Sequence, residues 1–263
     1  MNEKNFEYLR DQVKYTGFGD GLEAQLKDNL KRQPPEFTLQ HQGTFGKDEL
    51  NSSLHFKRSA TTDMYFFNSY TASLKQDQAN EKMNQTFYIG KDNNITLKEG
   101  YNLMSGRAVN KDLTNKEGKI YNAWLQMDFK QTDNAGNFKQ KQFHENYGFK
   151  LENELAKHPI KELQNDQERS KLLDSLQKGN RQSVTFLENG SEQRRYIEAN
   201  PQFKSVTVFD ANMHRINNRQ SQEASQSKGK SQAQKVEQGL GDDGKDHHSG
   251  KKPKKNQGMS VSQ

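Results

Sequence analysis

Between Pro34-Pro35 and the KDNN run at 91–94, four segments share one vocabulary: EFTLQHQGTF, LNSSLHFKRS, DMYFFNSYTASLK and QTFYIG. Each is rich in Phe, Tyr, Thr and Leu, and turn clusters such as GKDE and SATTD separate them. Aromatic and β-branched runs at this spacing make strands, and connections this short join antiparallel neighbours. The stretch predicts an antiparallel sheet over 36–92, three or four strands wide, with polar residues on one face.

The segment before it is helical in pattern. Phe6, Leu9 and Val13 fall on one face, TGFGDG at 16–21 breaks the run, and Leu22, Leu26 and Leu30 form a second face. Asp20 stands three residues before Glu23, the arrangement of a cap with an acid at N3. Pro34-Pro35 stops the second helix. Residues 1–33 are thus expected to form a helical hairpin.

Two further units follow, over 95–160 and 165–216. In the first, Thr96 and Glu99 predict a capping box, Leu97, Tyr101 and Met104 a helix face, and Gly106 its stop. Tyr121, Ala123, Leu125 and Met127 then alternate with polar residues, leaving Trp124 and Phe129 off the alternation. FKQKQF reads as a strand, and a helix around 146–157 carries Phe149, Leu151 and Leu155 up to His158-Pro159. The second unit opens at Asn165 or Asp166, carries Leu172, Leu173 and Leu176, and stops at Gly179. SVTFL, an Asn189-Gly190 turn, RYIEA and SVTVFD read as three strands, the turn suited to type I′ geometry. Leu103-x-x-Gly106-Arg and Leu176-x-x-Gly179 stand at matching places, so a degenerate duplication is one reading. The ordinary recurrence of such elements in α+β chains is the other.

Only 29% of the chain is hydrophobic and its mean hydropathy is −1.23, yet aromatics reach 10%. Disordered chains are poor in aromatics, so most of this one is expected to fold, around small aromatic-rich cores. Residues 217–263 differ. They hold six apolar side chains and no aromatic, and nine Lys/Arg against five Asp/Glu, so the first 216 residues carry only +2 of the net +6. This segment is expected to be a disordered basic tail, and the folded part is not a globally basic nucleic-acid reader. Cysteine is absent, which excludes disulfides and thiol chemistry and fits a reducing compartment. MNEKNFEYLR lacks the apolar stretch of a signal peptide, and no run approaches a membrane span, so a cytoplasmic location is expected.

No motif marks an active site. GFGDG at 17–21 lacks the preceding strand and following Lys-Ser/Thr of a phosphate loop and reads as an interhelix turn. His41 and His55 complete no metal triad, and His247-His248 with Asp242, Asp243 and Asp246 make no calcium loop. There is no G-x-S-x-G elbow. The chain is therefore read as a non-enzyme with no catalytic residues, metal or cofactor. Consecutive rings at Tyr65-Phe66-Phe67 and Phe87-Tyr88, near Lys57, Arg58, Lys75 and Lys82, could serve single-strand binding or simply a core. Lys178, Arg181, Arg194 and Arg195 are the candidate binding cations of the folded part. Lys251, Lys252, Lys254 and Lys255 of KKPKK are those of the tail, where a solubilising role is the other meaning.

ITLKEGYNLMSGRAVNKDLTNKEGKIYNAWLQMDF, HPIKEL and LQKGNRQSVTFLENG…YIEANPQFKSVTVFD resemble proteins of Bacteroidota conjugative transposons that carry a domain of unknown function, often in tandem. The resemblance spans about residues 1–216. It implies a cytoplasmic protein travelling with DNA-transfer genes, and neither an activity nor site residues. The expectation is an α+β accessory of a mobile element that binds nucleic acid or a DNA-processing protein. The alternative is a protein-interaction module without nucleic-acid contact.

Overall fold

In the computed structural model, which describes residues 1–77, 79–188 and 190–216, helix α1 spans Glu3–Val13. Its cap is Asn2, whose side chain accepts the Asn5 N–H at 3.1 Å. Phe6, Leu9 and Val13 are buried, as their spacing predicts. A π-helical turn, Lys14–Phe18, prolongs α1 until Gly17 takes φ 105°. Helix α2, Glu23–Arg32, buries Leu26 and Leu30. The expected Asp20 cap is not formed. Leu22 holds the cap position, so Asp20 lies too early to reach the free amides, and its carboxylate pairs with Lys14 at 3.0 Å.

Strands β1 (Glu36–Phe45), β2 (Asp48–Arg58), β3 (Tyr65–Lys75) and β4 (Met83–Tyr88) form an antiparallel meander in that order. Leu39, Leu54, Tyr70 and Phe87 align across all four and are buried with α1 and α2. The other face is polar, as expected: Thr38, His55, Thr71 and Thr86 form a hydrogen-bonded row at 3.4, 3.2 and 3.0 Å. Tyr65, Phe67 and Phe87 face the core, whereas Phe66 and Tyr88 are exposed. Tyr70 donates to the Ile95 and Thr96 carbonyls, and burial lifts its pKa well above the usual phenol value.

Next come helix α3, Leu97–Met104, and strands β5 (Val109–Thr114), β6 (Ile120–Thr132) and β7 (Phe138–His144), a second antiparallel sheet. The Thr96–Glu99 capping box forms as predicted, and Glu99 also meets Lys111 at 2.9 Å. The helix expected around 146–157 shrinks to α4, Leu151–Leu155, because Gly148 takes φ 84° after a 3-10 turn at Glu145–Tyr147. Asn165 caps α5, Asp166–Gln177, and β8 (Gln182–Glu188), β9 (Ser191–Asn200) and β10 (Ser205–Phe209) make the third sheet. Glu188 pairs directly with Ser191, which leaves two residues for the turn; Asn189 itself lies outside the described residues. The tail 217–263, with Lys251, Lys252, Lys254 and Lys255, lies outside them too.

There are two cores. Ala123, Leu125 and Met127 of β6 join the first, with α1, α2, α3 and the four-stranded sheet. Trp124, on the opposite face of β6, joins the second, with Leu172, Leu176, Val184 and Ile197. The abundant amide side chains act as one-residue strands. Asn5 accepts the Tyr65 N–H at 2.7 Å and donates to its carbonyl at 3.0 Å. Asn93 does the same to Thr114, and Gln85 to Phe138. Each pairs a free edge group that would otherwise be costly to bury. No helix among the described residues is long and apolar enough to cross a membrane.

Candidate functional site

Helices α3 and α5 stop in the same way and meet there. Gly106 (φ 80°) donates to the Leu103 carbonyl and Arg107 to that of Asn102; Gly179 (φ 79°) donates to Leu176 and Asn180 to Ser175. This is the Schellman pattern twice. The Asn102 amide reaches the Lys178 carbonyl at 2.6 Å, and Arg107 Nε donates to the Gly179 carbonyl at 3.0 Å. Two helix C-termini converge, each with partial negative charge. The guanidinium offsets it, so part of the charge of Arg107 is spent on structure. The approach is tight: a Cβ on Gly179 would stand 2.9 Å from the Ala108 carbonyl oxygen.

Beside this junction lies a cleft of about 390 Å³, whose lining among the described residues includes Lys98, Arg107 and Arg181 and no carboxylate. Phe45 stacks on Tyr101 at 4.3 Å, and Arg107 covers that ring at 4.9 Å. The Tyr101 hydroxyl donates to Asp48 at 2.9 Å; burial, and then this bond, raise its pKa. Asn102 is saturated by Lys178, Asn180 and Arg107, and Asn180 accepts from Asn102 and donates to Ser175. The cleft is thus rich in donors and poor in free acceptors, which suits an anion.

Arg181 links the cleft to the outer face of the third sheet. There it pairs with Glu198 at 2.6 Å and lies over the Phe209 ring at 4.5 Å. Arg194 stands on the same face, over Tyr196 at 5.5 Å, and donates to Ser183 at 2.9 Å. Arg195, next in the strand, points to the other face and meets Glu188 at 3.4 Å. The Lys178 side chain is exposed at the end of α5. Of the four candidate cations of the folded part, Arg181 and Arg194 therefore share a face, Arg195 opposes them, and Lys178 stands apart. Lys98, Arg107, Tyr196 and Phe209 are additions that the sequence reading misses. The signals for them are the Arg that follows Gly106 and the alternation Arg194–Tyr196–Glu198 along β9.

A larger cavity, about 620 Å³, lies between α4, α5 and β8, with Leu155, Ile160, Leu173 and Leu187 among its walls. His158 also lines it, and burial pushes its pKa down. Glu162 and Pro159 seal the β8 edge here, accepting the Thr185 and Leu187 N–H groups. His55 is engaged by Thr38 and Thr71, and His41 packs edge-on against Phe18. No cluster of three or more His, Asp or Glu side chains suited to a metal forms among the described residues. Fold and surface define an α+β protein with two helix-plus-sheet units and, on the outer face of the third sheet, a mixed patch of Arg181, Arg194, Glu198 and two rings. No protein-family model, no curated protein and no solved structure matches the chain.

Proposed function

We propose that this chain is a non-enzymatic accessory protein of a mobile genetic element and that it binds nucleic acid through backbone phosphate. The supporting observation is the cleft lined by Lys98, Arg107 and Arg181, the last ion-paired with Glu198 outside it, with no carboxylate in the lining among the described residues. Phosphate binding releases counterions, so affinity should fall steeply with salt, with a log–log slope of about one unit for each phosphate neutralised. The test is a salt titration of labelled DNA against the full chain, its Arg107→Gln/Arg181→Gln variant, and a variant with Lys251, Lys252, Lys254 and Lys255 changed to Gln. A slope shallower by about two units in the arginine variant supports the reading. No affinity at low salt sinks it, and complete loss on neutralising the four lysines moves binding to the tail.

The second reading, a protein-interaction module that docks a DNA-processing partner, draws on the 620 Å³ cavity with its leucine and isoleucine walls. Its walls also carry Glu152, His158 and Arg169, so the segment it would take has both apolar and polar side chains.

A further inference from the structure

We propose that the outer face of the β8–β9–β10 sheet takes single-stranded nucleic acid, stacking bases on Tyr196 and Phe209 while Arg181, Arg194 and the adjoining cleft hold phosphates. This rests on the reading that the chain binds nucleic acid and adds which form it binds and how.

Tyr196 and Phe209 are direct cross-strand partners. Their neighbours Ile197 and Val208 point the other way, into the second core. The two rings therefore stand side by side on the face that the core does not use, and both are half-buried there. Each lies under a guanidinium: Arg194 donates to the Ser183 hydroxyl, and Arg181 is ion-paired with Glu198 at 2.6 Å, so a phosphate at Arg181 competes with that carboxylate. Rings interleaved with cations on an open sheet are the chemistry of single-strand recognition, because every base has a face to stack. A duplex keeps its bases stacked inside and offers such a surface only phosphates.

The rings are already covered, so a base has to displace a guanidinium. An exposed cation–π contact is worth about two- to fivefold in equilibrium. A base on an aromatic side chain is worth about five- to 150-fold. The exchange favours the base, and the freed guanidinium stays within reach of the flanking phosphate. The four-stranded sheet makes the contrast. The middle of its open face is a row of hydroxyls and the His55 imidazole bonded to one another, and among the described residues no guanidinium lies over its exposed rings, Phe66 and Tyr88.

The experiment uses the full chain and four labelled probes of equal length: oligo(dT), oligo(U), an abasic strand and a duplex. Base-dependent stacking predicts that oligo(dT) or oligo(U) binds about tenfold or more tightly than the abasic strand, and the tighter of the two names the natural sugar. Tyr196→Leu and Phe209→Leu should each shrink the ratio of base-bearing to abasic affinity toward one. Equal affinity for base-bearing and abasic strands overturns the stacking proposal while phosphate binding survives. Failure of every probe at low salt overturns both. Where a leucine variant unfolds by circular dichroism, the wild-type ratio of base-bearing to abasic affinity decides alone.

Discussion

The α3–β5–β6–β7 and α5–β8–β9–β10 units have the same order of elements, the same strand order and the same helix stop, but opposite surroundings. The β5–β6–β7 sheet is covered on both faces at its centre: Ala123, Trp124 and Leu125 are consecutive and all buried. The β8–β9–β10 sheet buries only Val184, Phe186, Ile197, Ala199, Val206 and Val208, and its alternate positions carry Ser183, Arg194, Tyr196, Glu198, Thr207 and Phe209. One architecture thus supplies a scaffold in one place and an open face in the other. What differs is whether the alternate positions are apolar.

The largest effect should come from the residue that makes the first sheet two-sided. Trp124→Ala removes a ring 7% exposed and should cost about 3–5 kcal/mol in a denaturant titration. Tyr196→Ala, on the open face, should cost about 1 kcal/mol, near the average of point mutants. Equal costs would erase the contrast. The two helix stops come next. Gly106→Ala meets only Phe129, at 3.7 Å, and should cost about 1–2 kcal/mol for the left-handed backbone. Gly179→Ala adds overlap at 2.9 Å with Ala108 and Val109, about 1–3 kcal/mol more. A smaller cost at Gly179 would mean that the junction yields and the two units are less firmly joined.

The features legible in the sequence are the local ones: the Leu-x-x-Gly stops, the capping box at Thr96 and the two-residue connection before Ser191. The short α4 is not among them, because apolar spacing persists past Gly148, whose φ 84° breaks the helix. The Asp20 cap fails because α2 starts at Glu23 rather than at Gly21, two residues later than the Asp20–Glu23 spacing implies. In β6, burial on both faces hides the period of two, so Trp124 reads only as an exception. Arg107 becomes a bridge through a partner 72 residues away, which no local pattern encodes. The opposition of Arg194 and Arg195 follows from strand alternation alone.

Acid should separate the two cores more gently. His41, packed on Phe18 of the first core, and His158, packed on Phe186 of the second, both have pKa values lowered from the usual 6.5, first by burial. Between the native and unfolded pKa values the unfolded chain binds more protons, so stability falls as pH drops below about 6.5 and is unaffected above it. His41→Gln and His158→Gln should each flatten the melting-temperature decline between about pH 7 and pH 5. An unchanged slope in both would exclude these rings as its source. The smallest effect belongs to Lys178→Ala, within about 0.5 kcal/mol, since its junction contact is made by the backbone carbonyl.

The amide side chains that pair with strand edges also make the chain subject to chemical ageing. Hydrolysis of the Asn5 amide would turn the group that donates to the Tyr65 carbonyl into a carboxylate oxygen aimed at it, inside a site only 3% exposed. A bond becomes a repulsion at a single covalent step, with every residue still in place. Asn5→Asp made by mutation should therefore lower the melting temperature in a thermal scan, whereas Asn5→Gln tests whether the amide itself or only its reach is required.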